Sequence, residues 1–447
     1  MTKKTLLIQG GTLVTMDGTR RVFKGDVLVR DGRIAALRGP GEARLVAPRG
    51  TTKIDAKGML VLPGLIQAHV HLCQALFRNM ADDLPLLPWL KERIWPFEAA
   101  HDMASLKASA ELGLAEMMLA GTTTILDMGT VHHQDAIFRA MKRSGIRGIS
   151  GKAMMDVGAD VPKGLRESTR ASLRNSIELA ERWHQSADGR LEYAFAPRFI
   201  LSCSEKLWRK VAKAAEERGL RIHSHIAEHA EERKAVKKIL GMDDVAALFE
   251  YGVAGPHVIL AHGVQLRKTE MRRLAKAGTR IVHCPSANLK LASGIADVAG
   301  MREAGIVVAI GADGAPCNNR MDPWTELRSA ALLAKVRRDD AANLPAREAL
   351  ELATIDGARA LGLDDEVGSI EVGKKADVII VGRDGLHQGP GDDPYSQLVY
   401  ATQPSDVRDV VIDGEVIVRD GTHLRFKRES VMRAARREAK KVAARAF

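Results

Sequence analysis

The sequence predicts an α/β protein, a (β/α)8 TIM barrel with a small β-sandwich formed from both chain termini. Three observations support this fold class. Eight apolar strand candidates alternate with amphipathic helical stretches, short β-branched segments with Gly/Asp turns occupy both chain ends, and polar residues cluster where the apolar strands end. Strands that alternate with helices are typical of parallel βα units, and eight such units match a TIM barrel.

The strand candidates lie between residues 60 and 314. They are Leu60–Leu72, Thr122–Met128, Gly148–Asp156, Leu191–Arg198, Arg221–Glu228, His257–Gly263, Arg280–Pro285 and Val307–Gly314. Helical stretches such as Ala104–Ala120, Arg166–His184 and Glu205–Arg218 separate them. A doubly wound open sheet is the alternative, but it would carry a glycine-rich phosphate turn after its first strand, and the segment from Gly64 to His69 is not such a turn.

The two chain ends share one residue pattern. Short β-branched runs with Gly/Asp turns fill Thr5–Met16, Gly25–Ile34 and Lys53–Leu60, and they return at Val367–Val381 and Asp409–Val418. This pattern is typical of hairpins, with a turn expected at Asp31-Gly32. We therefore predict a β-sandwich built from residues 1–59 and 366–447, with a basic helix at its end, around a catalytic barrel of residues 60–365.

Charge and composition exclude several classes of partner. The net charge is +11, but residues 425–447 hold nine Lys/Arg against two Glu, so the other 424 residues carry only +4. A single basic helix is typical of a solvated surface, and we expect no nucleic-acid partner. The chain has no run of about 18 apolar residues and no signal-peptide core at its N-terminus, so we expect no membrane partner.

The cysteine pattern bears on the compartment. The four cysteines are far apart and form no C-x-x-C pair: Cys73, Cys203, Cys284 and Cys317. This spacing indicates a reducing, cytoplasmic location and argues against a cysteine zinc cage.

Candidate metal ligands stand at the ends of the predicted strands. The first strand ends in His69-Val-His71, the fifth contains His225, and the eighth ends in Asp313. Side chains at i and i+2 of a strand point to the same side, and the carboxyl ends of barrel strands form the active site. Three imidazoles and one carboxylate suit one divalent metal, Zn²⁺ first and Fe²⁺ as the alternative.

Other polar residues near these strand ends have separate interpretations. We expect His223 to be a hydrogen-bonded core residue, His132-His133 to be a solvated loop, and His283-Cys284 to be core. Ser286 and Asn288 are better candidates for substrate contact. Glu228 follows His225 by three residues and is placed to move a proton, and His262 stands at the end of the sixth strand.

The motifs together resemble the amidohydrolase superfamily over nearly the full length of the chain. The motifs that carry the resemblance are Pro63-Gly-Leu-Ile-Gln-Ala-His69-Val-His71, Gly121-Thr-Thr-Thr, His223-Ser-His225-Ile-Ala-Glu228, His262 and Gly311-Ala-Asp313-Gly. Binuclear members carry a lysine at the end of the fourth strand, where this chain has Arg198. The resemblance therefore implies a mononuclear site, and Glu228, His262 and Asp313 as catalytic residues.

Within this family the chain is similar to the branch of 5′-deoxyadenosine, methylthioadenosine and S-adenosylhomocysteine deaminases and triazine hydrolases. The resemblance implies that Glu98 binds ribose hydroxyls and that Trp89 walls the pocket. Gln74, Arg198 and Phe199 instead resemble the base-gripping residues of guanine deaminase. Lys152 stands where an Arg would grip an amino-acid carboxylate.

The predicted function is therefore metal-dependent hydrolytic deamination of an aminopurine, with an adenosine-type nucleoside of modified 5′ position as the first candidate substrate. The alternatives are guanine deamination and hydrolysis of an s-triazine. A non-catalytic scaffold is a third class, but such relatives lose metal ligands, and all the expected ligands are present here. The partners expected are a small-molecule purine or triazine and, for assembly, a homo-oligomer.

Overall fold

The computed structural model describes residues 5–447 of the chain. The described residues form eighteen strands: β1 Thr5–Val14, β2 Val22–Arg30, β3 Arg33–Arg38, β4 Thr52–Asp55, β5 Leu60–Pro63, β6 Leu65–Val70, β7 Thr122–Met128, β8 Arg147–Gly151, β9 Ala153–Met154, β10 Leu191–Pro197, β11 Arg221–Ile226, β12 Val258–His262, β13 Arg280–His283, β14 Val308–Ile310, β15 Val378–Val381, β16 Val407–Ile412, β17 Glu415–Arg419 and β18 Thr422–His423.

The helices alternate with the barrel strands. They are α1 Leu86–Trp89, α2 Trp95–Ala99, α3 Met103–Leu119, α4 Asp135–Ser144, α5 Thr169–Trp183, α6 Glu205–Arg218, α7 Ala230–Leu240, α8 Asp244–Glu250, α9 Lys268–Ala277, α10 Pro285–Lys290, α11 Val298–Glu303, α12 Ala315–Asn318, α13 Pro323–Arg338, α14 Ala346–Leu352, α15 Ile355–Leu361, α16 Pro394–Ser396 and α17 Arg428–Ala446. Several helices begin at a residue whose side chain caps them. In α6 the Ser204 hydroxyl oxygen accepts from the Leu207 N–H, which satisfies a backbone donor at the start of the helix.

The predicted TIM barrel is confirmed. Its strands pair in parallel in the order β6-β7-β8-β10-β11-β12-β13-β14, with β9 beside β10. A parallel bridge between Val70 and Asp313 joins the last strand region to the first, so the barrel closes at the level of the candidate site. Each of the eight predicted strand segments contains or overlaps one of these strands.

The first predicted strand, Leu60–Leu72, is in fact two strands that belong to different sheets. Leu60–Pro63 pairs with β1 and β15, whereas Leu65–Val70 pairs with β7. The chain changes sheet at Gly64, where an added Cβ would lie 2.1 Å from the Thr123 hydroxyl oxygen. Only glycine permits this close approach. Because the apolar run continues on both sides of Gly64, the sequence pattern did not predict that the strand is interrupted there.

The second sheet confirms that both chain ends build one β unit. It is a mixed sheet in the order β18-β17-β16-β15-β5-β1-β2-β3, with β4 also beside β1. Apolar side chains of both ends pack together in its core, among them Ile8, Val29, Ile54, Val378 and Val411. The boundaries drawn at residues 59/60 and 365/366 stay predictions, and residues 1–4 of the first segment lie outside the described residues.

Long helices of this chain are amphipathic or small-residue-rich rather than uniformly apolar. None of the helices in residues 5–447 combines the length and the apolar character needed to cross a membrane. All four cysteines are buried and free.

Candidate active site

The candidate active site is a pocket at the carboxyl ends of the barrel strands, where TIM barrels place their active sites. Its lining consists of His71, Gln74, Leu86, Trp89, Leu90, Arg198, Phe199, His225, Glu228, His262 and Asp313. The structure thus brings together nearly all the site residues predicted from the sequence. The other two, His69 and Glu98, are buried and contact residues of the lining.

A relay of two hydrogen bonds fixes the ring of His69. His223 Nδ1 lies 3.0 Å from the Ile259 carbonyl oxygen, which can only accept, so His223 carries its hydrogen on Nδ1. The bare His223 Nε2 lies 2.8 Å from His69 Nδ1, which therefore donates to it. His69 Nε2 keeps a free lone pair and has no hydrogen-bond partner among residues 5–447.

His71 and His225 present their Nε2 atoms in the same way. His71 Nδ1 donates to the Met128 carbonyl over 2.8 Å, and His225 Nδ1 donates to the Arg198 carbonyl over 2.7 Å. The two Nε2 atoms, which carry no hydrogen in these neutral tautomers, lie only 3.3 Å apart. Two lone pairs at this distance repel each other, and a cation that both nitrogens bind removes the repulsion.

Burial keeps these imidazoles in the neutral form that binds metals. Burial, with a further contribution from the neighbouring His69, lowers the pKa of His71 to about 4. Burial also lowers the pKa of His69, and it lowers the pKa of His225 well below the ordinary histidine value.

Asp313 adds a carboxylate to the cluster. It follows β14 with a φ of 63°, a left-handed conformation that is strained for a residue other than glycine. Its Oδ1 atom lies 3.3 Å from the Nε2 atoms of both His69 and His71. The edge of a tetrahedron with zinc–ligand bonds of about 2.0–2.1 Å is roughly 3.3–3.4 Å long. The donor set and its spacing therefore fit one divalent metal.

His262 lies between this cluster and Glu228. Its Nε2 atom is 4.0 Å from Asp313 Oδ2 and 3.4 Å from Glu228 Oε2. The ligand atoms of His69, His262 and Asp313 lie within 4.8 Å of one another, as do those of the three histidines His69, His71 and His225. Asn288, a predicted substrate contact, lies with its side-chain oxygen 2.9 Å from His262 Nδ1 and so fixes that ring.

Two buried carboxylates hold the turn that carries Glu228. The Ala227 N–H donates to Asp244 over 2.9 Å, and the Glu228 N–H donates to Glu232 over 3.2 Å. Ala227 has a φ of 48°, so these bonds stabilise a left-handed turn after β11. Burial, supported by the charge of Asp313, raises the pKa of Glu228 well above its ordinary value. A carboxyl group of raised pKa can hold a proton at neutral pH.

The predicted substrate residues form one buried network. Gln74 Nε2 donates to Glu98 Oε1 over 2.8 Å, and the Arg198 guanidinium donates to both oxygens of Glu98 at 2.5 and 3.2 Å. Although burial disfavours a charged carboxylate, Arg198 holds the pKa of Glu98 below its ordinary value. Gln74 Oε1 has no hydrogen-bond partner in the described part of the chain.

Part of the pocket wall is apolar. Trp89, Leu86 and Leu90 come from the helical segment that leads to Glu98, and Phe199 follows Arg198. Lys152 is buried but lies outside the lining, because its ammonium donates to the carboxylate of Glu167 and to the Ala153 carbonyl.

One acidic residue beside the site was not predicted from the sequence. Asp127, the second-to-last residue of β7, accepts from the Leu72 N–H over 2.8 Å and from the Ser150 hydroxyl over 2.6 Å. Burial raises its pKa to about 6. Because Leu72 directly follows His71, Asp127 fixes the chain at that histidine. Its signal in the sequence is a lone carboxylate near the end of an apolar strand.

The fold and the cluster define a metal-dependent barrel hydrolase. Residues 60–417 match the model of the amidohydrolase family. The chain belongs to the amidohydrolase family.

Relatives of known description cover nearly the whole chain. A 5′-deoxyadenosine deaminase of Methanothermobacter thermautotrophicus is 38% identical, over 94% of this chain and 95% of its own length. A 5-methylthioadenosine/S-adenosylhomocysteine deaminase of Halobacterium salinarum is 39% identical, over 99% of both chains. The solved structure of an adenosine deaminase from Xanthomonas campestris with bound zinc is similar with a TM-score of 0.92 and 32% identity, over 98% of both chains.

Proposed function

We propose that this protein hydrolytically deaminates an adenosine-type nucleoside with a modified 5′ position, using one divalent metal and releasing ammonia. The observation that carries the proposal is the convergence of three bare imidazole nitrogens and Asp313 beside the buried Glu228. The descriptions of the relatives as 5′-deoxyadenosine and methylthioadenosine/S-adenosylhomocysteine deaminases support the substrate class.

The metal would be held by His69, His71, His225 and Asp313. Held there, a divalent metal would lower the pKa of a bound water from 15.7 towards about 7. This ligand set suits both Zn²⁺ and Fe²⁺, and the zinc bound in the Xanthomonas campestris structure supports Zn²⁺ as the first choice.

Glu228 is proposed as the proton carrier. Water adds to the ring carbon that bears the amino group, and Glu228 moves one water proton to the adjacent ring nitrogen. This protonation makes the carbon a better electrophile, and a positioned carrier contributes roughly 10²- to 10⁴-fold. The raised pKa of Glu228 suits the role, because the group must hold the proton between the two transfers.

His262 and Asp313 are proposed to complete the reaction. His262 Nε2 is directed towards Glu228 and Asp313 and would hydrogen-bond the attacking oxygen. Asp313 would take the second water proton and pass it to the departing nitrogen. The carbon–nitrogen bond then breaks, leaving a ring carbonyl and ammonia.

Substrate binding is assigned to the network of Gln74, Glu98 and Arg198, with Phe199 and Trp89 on the walls. Glu98 would accept hydrogen bonds from the ribose hydroxyls. Lys152 is engaged by Glu167 and is not available to a substrate carboxylate. We therefore expect a small neutral 5′ group, as in 5′-deoxyadenosine or methylthioadenosine, to be preferred over that of S-adenosylhomocysteine.

Guanine deamination is the second candidate. The unpartnered Gln74 Oε1 and the Arg198 guanidinium both belong to the pocket and could grip a free base. An s-triazine substrate would use the same metal and proton carrier and would differ only in the pocket contacts.

Ammonia release from a panel of purified substrates tests the proposal. The panel contains 5′-deoxyadenosine, methylthioadenosine, S-adenosylhomocysteine, adenosine, guanine and atrazine. The highest kcat/KM on 5′-deoxyadenosine or methylthioadenosine, with about one metal per chain by elemental analysis, would support it. Guanine as the best substrate, or active protein without metal, would overturn it.

Three further assignments, on domain boundaries, location and assembly, accompany this function. We propose domain boundaries at residues 59/60 and 365/366, a cytoplasmic location and a homo-oligomeric state. Limited proteolysis, cell fractionation and light scattering test these in turn.

A further inference from the structure

The basic helix α17 packs beside the active site rather than standing in solvent on all sides. Its apolar residues Ala435 and Val442 are buried in a cluster with Leu76, Phe77 and Phe97. Leu76 and Phe77 end the short 3-10 helix that carries Gln74, and Phe97 directly precedes Glu98. The helix thus contacts both segments that supply the network of the pocket.

A row of four rings runs from the end of α17 to the chain next to Gln74. Phe447 meets Phe97 edge-on at 5.2 Å between ring centroids, and Phe97 stacks on Phe77 at 4.8 Å. Phe77 stacks on His101 at 5.0 Å. His101 Nε2 then lies 2.8 Å from the Cys73 carbonyl oxygen, to which it donates. We call Phe447, Phe97, Phe77 and His101 the ring row.

The ring row meets the chain next to the network at two places: at Phe97, which is a member of the row, and at Cys73, whose carbonyl accepts from His101. Phe97 precedes Glu98, and Cys73 precedes Gln74, whose amide donates to Glu98 over 2.8 Å. Adjacent residues share backbone, so a shift of Phe97 would also move Glu98, and a shift of Cys73 would also move Gln74. Either shift would change the distance between Gln74 and Glu98.

Two further contacts anchor Phe447 and its helix. The Arg93 guanidinium lies over the Phe447 ring at 5.6 Å, and Arg93 belongs to the turn between Leu90 and Glu98. Arg445 pairs with Asp102 over 2.7 Å, at the N-cap of α3. Phe447 is 69% exposed, whereas Phe77 and Phe97 are buried, so these two contacts hold the exposed end of the ring row.

We propose that Phe447 is a positioning residue: through the ring row it fixes the segment that carries Glu98 and thereby sets the affinity of the pocket for its substrate. The proposal rests on the proposed function, since it takes the Gln74–Glu98–Arg198 network as the substrate contact. Phe447 is not among the residues that line the pocket, and it contacts Phe97 and Arg93 of the segment that leads to Glu98.

The test compares Phe447→Ala with two controls, Phe447→Tyr, which keeps the ring, and Arg436→Ala. Arg436 is exposed on the same helix and has no ion pair in the described residues. An edge-to-face aromatic pair is worth about 0.5–1.5 kcal/mol, which converts to a factor of about 2–12. We expect Phe447→Ala to raise KM by about that factor, with kcat within about twofold of the parent, and both controls to behave like the parent.

Hydrogen exchange supplies a readout that does not need a substrate. In Phe447→Ala, amides of the peptide spanning residues 90–100 should exchange about 2–12 times faster, with metal content unchanged. An unchanged KM in Phe447→Ala, or unchanged exchange in that peptide, overturns the proposal. If the parent protein deaminates no nucleoside, the proposed function fails, and the exchange result alone then decides whether Phe447 positions the segment.

Discussion

Each imidazole of the candidate metal site is fixed by a hydrogen bond from its Nδ1 atom. Main-chain carbonyls accept from His71 and His225, and His223 accepts from His69. Outer hydrogen bonds of this kind set the tautomer and the direction of the ligand lone pair. The ligand histidines are therefore oriented by the groups that accept their Nδ1–H hydrogen bonds. Glu228 is not one of the proposed ligands, so its carboxyl group can carry a proton.

Changing Glu228 to Gln keeps the shape of the side chain and removes its transferable proton. We expect turnover to fall by at least about 10²-fold while metal content stays near that of the parent. Glu231→Gln, an exposed change three residues further on, is the matched control and should be silent. Steady-state kinetics and elemental analysis on the same samples check this, and near-normal turnover in Glu228→Gln would exclude the role.

At the residue scale, spacing along the chain made the metal cluster predictable. His69 and His71 at i and i+2 of a strand must share a side, and strand ends of a barrel must meet. The network of Gln74, Glu98 and Arg198 was predicted only as two separate groups of substrate contacts. Its members lie 24 and 100 residues apart, and local pattern carries no information on such pairs.

The barrel closes where the last strand meets the first, and this closure also assembles the metal site. The Asp313 N–H donates to the His69 carbonyl over 3.1 Å, and Val70 bridges to Asp313. Gly311, between β14 and Asp313, permits the contact, because a Cβ there would lie 2.5 Å from the His69 carbonyl oxygen and 2.8 Å from its nitrogen. Backbone atoms in a closed barrel cannot withdraw easily, so the spacing of two ligands depends on this glycine.

Gly311→Ala should therefore separate His69 from Asp313. We expect substantial loss of metal and activity, together with destabilisation of about 1–3 kcal/mol from overpacking. Gly18→Ala is the control, because nothing lies within 4 Å of a Cβ at that exposed turn. Metal content per chain and the thermal midpoint of both variants check the prediction. Full metal occupancy in Gly311→Ala would show that the closure tolerates the methyl group.

At the element scale, periodicity predicted the helices and strands but not every change of sheet. The helix predicted at Glu205–Arg218 has those bounds in the structure, because an N-cap serine and a following Gly219 mark its ends. The break at Gly64 was not predicted, because both flanking strands are fully buried and the residues on either side of the glycine, from Leu60 to Ile66, are apolar. The residue pattern of a buried strand is the same whichever sheet the strand joins.

The barrel and the terminal sheet are joined by a buried ion pair at the end of the barrel away from the metal cluster. Arg147, the first residue of β8, donates to Asp377 over 2.7 and 3.1 Å, and both side chains are almost inaccessible. Asp377 also accepts from the Asp413 N–H over 2.7 Å. The pair therefore links a barrel strand to the strands that the C-terminal part of the chain adds to the second sheet.

Breaking this pair from one side should destabilise the whole molecule without touching the chemistry. Asp377→Asn keeps the acceptor for the Asp413 N–H but leaves the buried Arg147 charge with only its longer contact to the Asp413 carboxylate, over 3.5 Å. Breaking a buried ion pair from one side typically costs about 3–5 kcal/mol. Arg147→Met/Asp377→Asn removes both charges, so its loss of stability should be smaller than the sum of the losses in the two single variants by more than about 0.5 kcal/mol.

Glu415→Gln, which breaks the partly exposed pair with Arg425, is the control and should cost at most about 1 kcal/mol. Thermal and denaturant midpoints measure these losses, and kcat at 25 °C should stay near that of the parent in every variant, because the joint lies at the opposite end of the barrel from Glu228. If Asp377→Asn proved as mild as Glu415→Gln, the ion pair would not be the element that holds the two sheets together.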